Sequence, residues 1–286
     1  MKILVLGTSG MIGHAMFRIL TQSKQLEVWG TVRGSADKQH FNDLMQSRIV
    51  VSGDIERRET LPRILGSIKP EVVINCVGLT KHRPTSEDPV ASITMNALFP
   101  HWLSDQCVAA RARLIHVSTD CVFSGSRGSY SEIDTPDASD IYGRTKQLGE
   151  VDYPQTVTLR TSTIGHELQS SYGLLNWFLS QKGSCKGFAR AKFSGLSNIE
   201  FACVVRDYVI TKPNLRGVYH VGGESINKYD LLCMIADIYG NKNIVMRDED
   251  FVIDRTLDSS RFNTATGYLA PNWYEMIKHM YLMTAR

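Results

Sequence analysis

Tyr142 and Lys146 stand four residues apart in DIYGRTKQLGEV (140–151). On a helix this spacing stacks the phenol and the ammonium on one face, one turn apart. Chance produces the same pair in many helices, so its meaning depends on the rest of the chain. A free phenol titrates near about pH 10, and a close cation favours the phenolate and brings that value toward neutrality. A tyrosine so tuned can protonate a ketone oxygen as hydride reaches the carbon, or deprotonate an alcohol in reverse. Such chemistry also needs a hydroxyl to hold the carbonyl oxygen. Ser118 and Thr119, at the end of the apolar run ARLIHVSTD (112–120), supply two. His116, Ser118 and Asp120 do not read as a hydrolase, because neighbours in a strand alternate faces and the chain has no GxSxG elbow.

A hydride needs a carrier. KILVLG (2–7) runs into Gly7-Thr-Ser9-Gly10-Met11-Ile12-Gly13 and then into an amphipathic stretch, the strand–turn–helix order of a dinucleotide site. Glycines there permit a tight turn and close approach of a pyrophosphate, while the helix start offers free N–H groups and a positive dipole end. At the end of the second strand the chain reads Thr31-Val32-Arg33-Gly34-Ser35, with no acid before Asp37. A basic residue there suits a ribose 2′-phosphate, so NADP(H) is expected over NAD(H), with Arg33 as the contact. The alternative leaves Arg33 exposed and gives the ribose to Asp37. Asp54 and Ile55, after the third strand, are placed to flank the adenine.

The elements that must position these groups are legible as alternation. KILVLG (2–7), LEVWGTV (26–32), RIVV (48–51), EVVINCV (71–77), ARLIHVS (112–118) and TVTLR (156–160) read as strands, separated by helical stretches. That order predicts a Rossmann-type, doubly wound parallel sheet covered on both faces. In the second half, a capping box of Ser197 and Glu200 opens one helix, Asn227 caps another, RGVYHVGG (216–223) reads as a strand, and two helical pieces fall near 258–266 and 272–283. The expected division is a dinucleotide-binding part over 1–160, joined by about 198–221, and a smaller α+β part over 161–286 that binds substrate.

With 286 residues, 43% hydrophobic and 21% charged, and a net charge of +3, the composition is that of a globular protein with no electrostatic case for nucleic acid. The six cysteines form no CxxC pair and sit mostly in apolar runs, which predicts free thiols in a reducing, cytoplasmic setting. Cys and His spacing predicts no metal site. No stretch reads as a signal peptide or a membrane span.

Taken together, GxxGxxG at 7–13, STD at 118–120 and YGRTK at 142–146 resemble the extended short-chain dehydrogenase/reductase superfamily. VINC (73–76), HVSTDCVFSG (116–125), Tyr130-Ser-Glu132, Pro136, YGRTKQLGE (142–150) and LRTS (159–162) resemble, more narrowly, the dTDP-4-dehydrorhamnose reductase family of nucleotide-sugar reductases, which serve polysaccharide biosynthesis. The likeness covers roughly the first 165 residues well and the remainder loosely. It implies that Thr119 is the catalytic hydroxyl, Tyr142 the acid, and Lys146 the residue that binds the cofactor ribose and lowers the Tyr142 pKa. Asn75, Cys76, Val77, Gly78 and Ser118 would line the nicotinamide side, and Asn96 would brace the scaffold. The partner it implies is a nucleotide-sugar substrate, with room for a homodimer.

The departures fall on the substrate side. Where those enzymes read STDYVF and RTSW, this chain has Cys121 and Thr163, and VGLTKHRPTSED fills 77–88. A related 4-keto-6-deoxy sugar, such as an N-acetylhexosamine on UDP, is therefore expected as readily as the rhamnose precursor. Lys81, His82, Arg83, Asp120, Cys121, Thr163, Arg190 and Arg255 are the candidate contacts. Asp120 also allows a rival reading as an NAD-retaining epimerase or dehydratase, and a cofactor-binding regulatory subunit is a second rival.

Overall fold

A computed structural model describes residues 1–81 and 88–284. Its strands are β1 (Lys2–Leu6), β2 (Glu27–Val32), β3 (Ile49–Val51), β4 (Val72–Asn75), β5 (Arg113–Thr119), β6 (Thr156–Thr161), β7 (Thr163–Ile164), β8 (Ser184–Phe193), β9 (Leu196–Ser197), β10 (Gly217–His220), β11 (Ile226–Asn227) and β12 (Ile244–Arg255). The helices are α1 (Met11–Thr21), α2 (Asp43–Gln46), α3 (Thr60–Ile68), α4 (Pro89–Ser92), α5 (Phe99–Ala109), α6 (Ile141–Leu148), α7 (Leu174–Ser180), α8 (Asn198–Val204), α9 (Lys228–Tyr239), α10 (Ser260–Thr266) and α11 (Trp273–Thr284).

Seven strands form one parallel sheet in the order β10-β6-β5-β4-β1-β2-β3. The apolar runs read from the sequence are its buried strands: Ile3, Leu4, Val5 and Leu6 of β1 are fully excluded from solvent. One face is covered by α1, α8 and α11, whose Phe17, Phe201 and Ile277 join a large core. The other face is covered by α3 and α5, with Leu61, Ile64 and Leu103. The strand order reverses between β1 and β4, which opens a crevice at the carboxyl ends of the strands, the usual ligand site of such sheets.

Four elements differ from the sequence reading. The long helix expected from Pro89 is α4 and α5 joined by a π-helical segment, Ile93–Leu98, which turns Asn96 inward. Helix α8 likewise runs into a π segment, Val205–Val209. The long strands β8 and β12 were not anticipated; they pair in parallel, with β11 on the other side of β8, and form the second, smaller sheet.

Candidate active site

The glycine loop is shaped by its own packing. Gly7 takes a left-handed φ of 79°, and a Cβ on Gly13 would collide with the Gly7 carbonyl oxygen. Gly7 N–H donates to Thr31 Oγ1 at 3.1 Å and the Thr8 hydroxyl to the Thr31 carbonyl at 2.8 Å, tying the loop to the end of β2. Gly7, Ser9, Gly10, Met11 and Ile12 remain partly exposed at the crevice. Beside them Val77 N–H donates to Asn75 Oδ1 at 3.0 Å, fixing the turn through Cys76 and Gly78. Asn96 accepts from Leu79 N–H at 2.8 Å and donates to the Leu79 carbonyl at 3.1 Å, so it braces this turn against the helix layer. This tight, backbone-lined cradle fits a dinucleotide pyrophosphate.

Farther out, Arg33 is exposed and reaches Asp54 with 4.0 Å between Nε and Oδ1, while Asp54 also holds Arg57 at 3.2 Å. Asp54 is thus the partner of Arg33, a link the sequence did not suggest; Ile55 beside it is buried in the core. Asp37 accepts from Gly34 N–H at 3.3 Å and from Gln169 at 2.6 Å, so its carboxylate is already engaged.

The candidate reactive groups meet where β5 ends. Thr119 Oγ1 caps the following turn, accepting from Cys121 N–H at 3.1 Å, and donates to Asp120 Oδ1 at 3.1 Å. Helix α6 begins with Asp140 accepting from Gly143 N–H at 2.9 Å. A Cβ on Gly143 would strike the Cys121 carbonyl oxygen, so glycine lets the first turn of α6 press against the 120–122 turn. That contact sets the Tyr142 phenol beside the Thr119 hydroxyl, which favours the phenolate. One turn on, Lys146 is buried and donates from Nζ to the Val117 carbonyl at 2.8 Å.

The electrostatics depart from expectation. Burial raises the Tyr142 phenol above its ordinary range, the Cys121, Asp120 and Asp140 groups add to the rise, and the Thr119 hydrogen bond opposes it. Lys146 is not among the groups that move it most. The ammonium is committed to the Val117 carbonyl, and burial pulls it down to about 8 against the support of Glu150 and Cys76. Ser118 differs too: its hydroxyl donates to Glu150 Oε1 at 2.7 Å instead of facing the crevice unengaged.

Around Cys121 the substrate candidates gather unevenly. Arg255 donates from Nε to the Phe123 carbonyl at 3.0 Å and from a terminal nitrogen to Cys121 Sγ at 3.7 Å. Lys81 pairs with Asp140 at 3.0 Å. Burial raises the Asp120 carboxyl, against the pull of Arg255 and of hydrogen bonds from Thr119, Cys121 and Ser162. Thr163 lies half-buried at the start of β7. Arg190 stands exposed on β8, and no bond joins it to this cluster among the described residues. His82 and Arg83 lie outside the described residues. Lys228, at the start of α9, was missed by the sequence reading. It faces Asp120, Cys121, Arg255 and Lys81, and burial lowers its pKa. Its only advance signal was its position just after the Asn227 cap.

Comparison with known proteins agrees with this geometry. Residues 1–176 match the RmlD substrate binding domain family. The chain is 24% identical over 259 residues to methionine adenosyltransferase 2 subunit beta of Rattus norvegicus, covering 83% of this chain and 72% of that one. It is 24% identical over 247 residues to dTDP-4-dehydrorhamnose reductase of Aggregatibacter actinomycetemcomitans, covering 82% and 78%. The crystal structure of a dTDP-4-dehydrorhamnose reductase from Clostridium acetobutylicum superposes with a TM-score of 0.81 at 22% identity over 100% of both chains. That of the Bacillus anthracis enzyme in complex with NADP gives 0.79 at 17% identity over 99% of both. The chain therefore belongs to the RmlD substrate binding domain family, a branch of the NAD(P)-dependent extended short-chain dehydrogenase/reductases.

Proposed function

We propose that this protein is an NADPH-dependent reductase of a nucleotide-linked 4-keto-6-deoxy sugar. The observation that carries the reading is the packing of α6 on the 120–122 turn, which sets Tyr142 beside Thr119 with buried Lys146 behind it, at the carboxyl end of β5. Residues 7–13 hold the pyrophosphate, Arg33 the 2′-phosphate, and Cys76 to Gly78 the nicotinamide side; NADP in the Bacillus anthracis neighbour supports the choice of cofactor. The bound reduced nicotinamide supplies a hydride. Thr119 turns its proton from Asp120 to the sugar carbonyl, while the Cys121 amide keeps the Thr119 oxygen in place. Tyr142, kept protonated by burial, then delivers its proton to the oxygen as negative charge develops there. The cationic rim of Lys81, Lys228 and Arg255 suits the diphosphate of such a substrate.

We further propose that residues 1–160 with about 198–221 form the dinucleotide-binding part, and that the rest of 161–286 forms the substrate part. The pairing of β10 with β6 supports that assignment. The likeness to a methionine adenosyltransferase subunit favours a second reading, in which the chain binds cofactor as a subunit of a larger assembly. Purified protein given NADPH and a panel of nucleotide-4-keto sugars separates the two. The expected result is NADPH consumption with one of them, and a loss of about 10²–10⁴-fold in kcat for Tyr142→Phe. Undiminished turnover in that variant refutes the role of Tyr142, and no turnover with any substrate favours the subunit reading.

A further inference from the structure

Helix α6 ends at Leu148, and the chain then carries Glu150 inward, where it meets Arg160 of β6. Both side chains are withdrawn from water, at 7% and 6% exposure. The guanidinium grips the carboxylate with two bonds, Nε to Oε1 and a terminal nitrogen to Oε2, each 2.7 Å. Ser118, the residue before the catalytic hydroxyl, donates to Oε1 at 2.7 Å. Arg160 is held in turn by His220 Nε2 at 3.2 Å and lies over the Phe123 ring at 5.2 Å. Neutral His220 is anchored through Nδ1 to the Tyr130 carbonyl at 3.0 Å. A buried ion pair repays its desolvation poorly, so it is weak evidence for stability and raises the question of what else it does.

The charges around Lys146 answer it. From the end of β4 it faces Cys76, whose thiol burial pushes up to about 12 and so keeps neutral. From β5 it faces His116, which burial also keeps neutral. Tyr142 on its own helix is neutral as well. Lys146 is bonded to the Val117 carbonyl and Glu150 to the hydroxyl of the next residue, Ser118, so ammonium and carboxylate lie at adjoining positions along β5; among the described residues Glu150 is the carboxylate that favours the charged lysine, and Arg160 is the cation paired with it.

We propose that Glu150, clamped by Arg160 and Ser118, is a positioning residue for the reduction: it is the nearby counter-charge that keeps Lys146 an ammonium on the Val117 carbonyl, behind Tyr142. The motif then extends from Tyr142 and Lys146 to Glu150, and β6 takes part in catalysis through Arg160 without touching substrate. The activity readout rests on the reductase reading above, whereas the electrostatic claim does not.

The test compares Glu150→Gln and Arg160→Met with the parent, following kcat/KM and, separately, NADPH binding by nicotinamide fluorescence across pH 6–10. The parent should lose activity as Lys146 deprotonates near pH 8. Glu150→Gln keeps the hydrogen-bond acceptor but not the charge, so both profiles should move down by roughly one pH unit, about tenfold at a fixed pH on the alkaline side. Arg160→Met frees the carboxylate for Lys146, so they should move up; a merely structural lesion would move both variants the same way. Glu150→Asp should restore the profile in part. Folded Glu150→Gln with an unmoved profile overturns the proposal. Should that variant not fold, an unmoved or downward profile in Arg160→Met overturns it equally. If no keto sugar is turned over but the NADPH-binding profiles move apart as stated, the counter-charge stands and the reductase reading fails.

Discussion

At the scale of single residues, type and spacing were enough to single out Thr119, Tyr142 and Lys146 as candidates, and the fold brings the three together at the end of β5. The direction of the Tyr142 shift was not legible. Spacing places a cation one turn away but says nothing of burial, which here outweighs it. Glu150, Arg160 and Lys228 escaped for a related reason: they reach the site from β6, the end of α6 and the start of α9, whose approach only the folded chain reveals. Arg33 carries the prediction at this scale. It is exposed and, among the described residues, bound only at 4.0 Å to Asp54, so a 2′-phosphate can recruit it at little cost. In a thermal-shift titration NADPH should raise the melting temperature more than NADH at equal concentration. Arg33→Ala should lose that difference by weakening NADPH about tenfold while leaving NADH unchanged. Equal shifts in the parent would show that Arg33 does not read the 2′-phosphate.

At the scale of elements, the parallel sheet was legible because buried strands are continuous apolar runs, bounded here by Gly, Ser and Asp. Strand β8 was missed although its burial alternates along SCKGFARAKF, because small Gly and Ala at the inward positions hide the period of two. Strand β12 was missed because MRDEDF at its centre is polar and largely exposed on the edge of the small sheet. The glycine loop is where element and function meet most tightly. A methyl at Gly13 has no room beside the Gly7 carbonyl, so the turn and the start of α1 must separate. Gly13→Ala should lower stability by about 1–3 kcal/mol and weaken dinucleotide binding far more than nucleotide-sugar binding. Calorimetric titration with each ligand checks this, and dinucleotide affinity equal to the parent's would contradict it.

At the scale of the whole molecule, one sheet joins two faces of core to a crevice, and buried histidines couple that architecture to pH. Burial lowers His14, packed beside α8, and His220, on the edge strand β10, to about 4. Both values lie below the ordinary 6.5, so the unfolded chain binds these protons first. Stability from each is present above pH 6.5 and is lost as pH falls through about 4, on the order of 3 kcal/mol apiece. The melting temperature should fall across that window, and His220→Gln, which can still meet Arg160 and the Tyr130 carbonyl, should flatten the fall. An unchanged slope would remove His220 from the account. The event proposed for this fold and site is transfer of hydride to a ketone carbon on a nucleotide-linked sugar. NADPH carrying two deuteriums at C4 of the nicotinamide, incubated with the protein and a nucleotide-4-keto sugar, tests it directly by mass spectrometry and NMR of the product. One deuterium at C4 of the reduced sugar and stoichiometric NADP⁺ are expected; a product without that label, or an epimerised sugar with no net cofactor oxidation, would contradict this transfer.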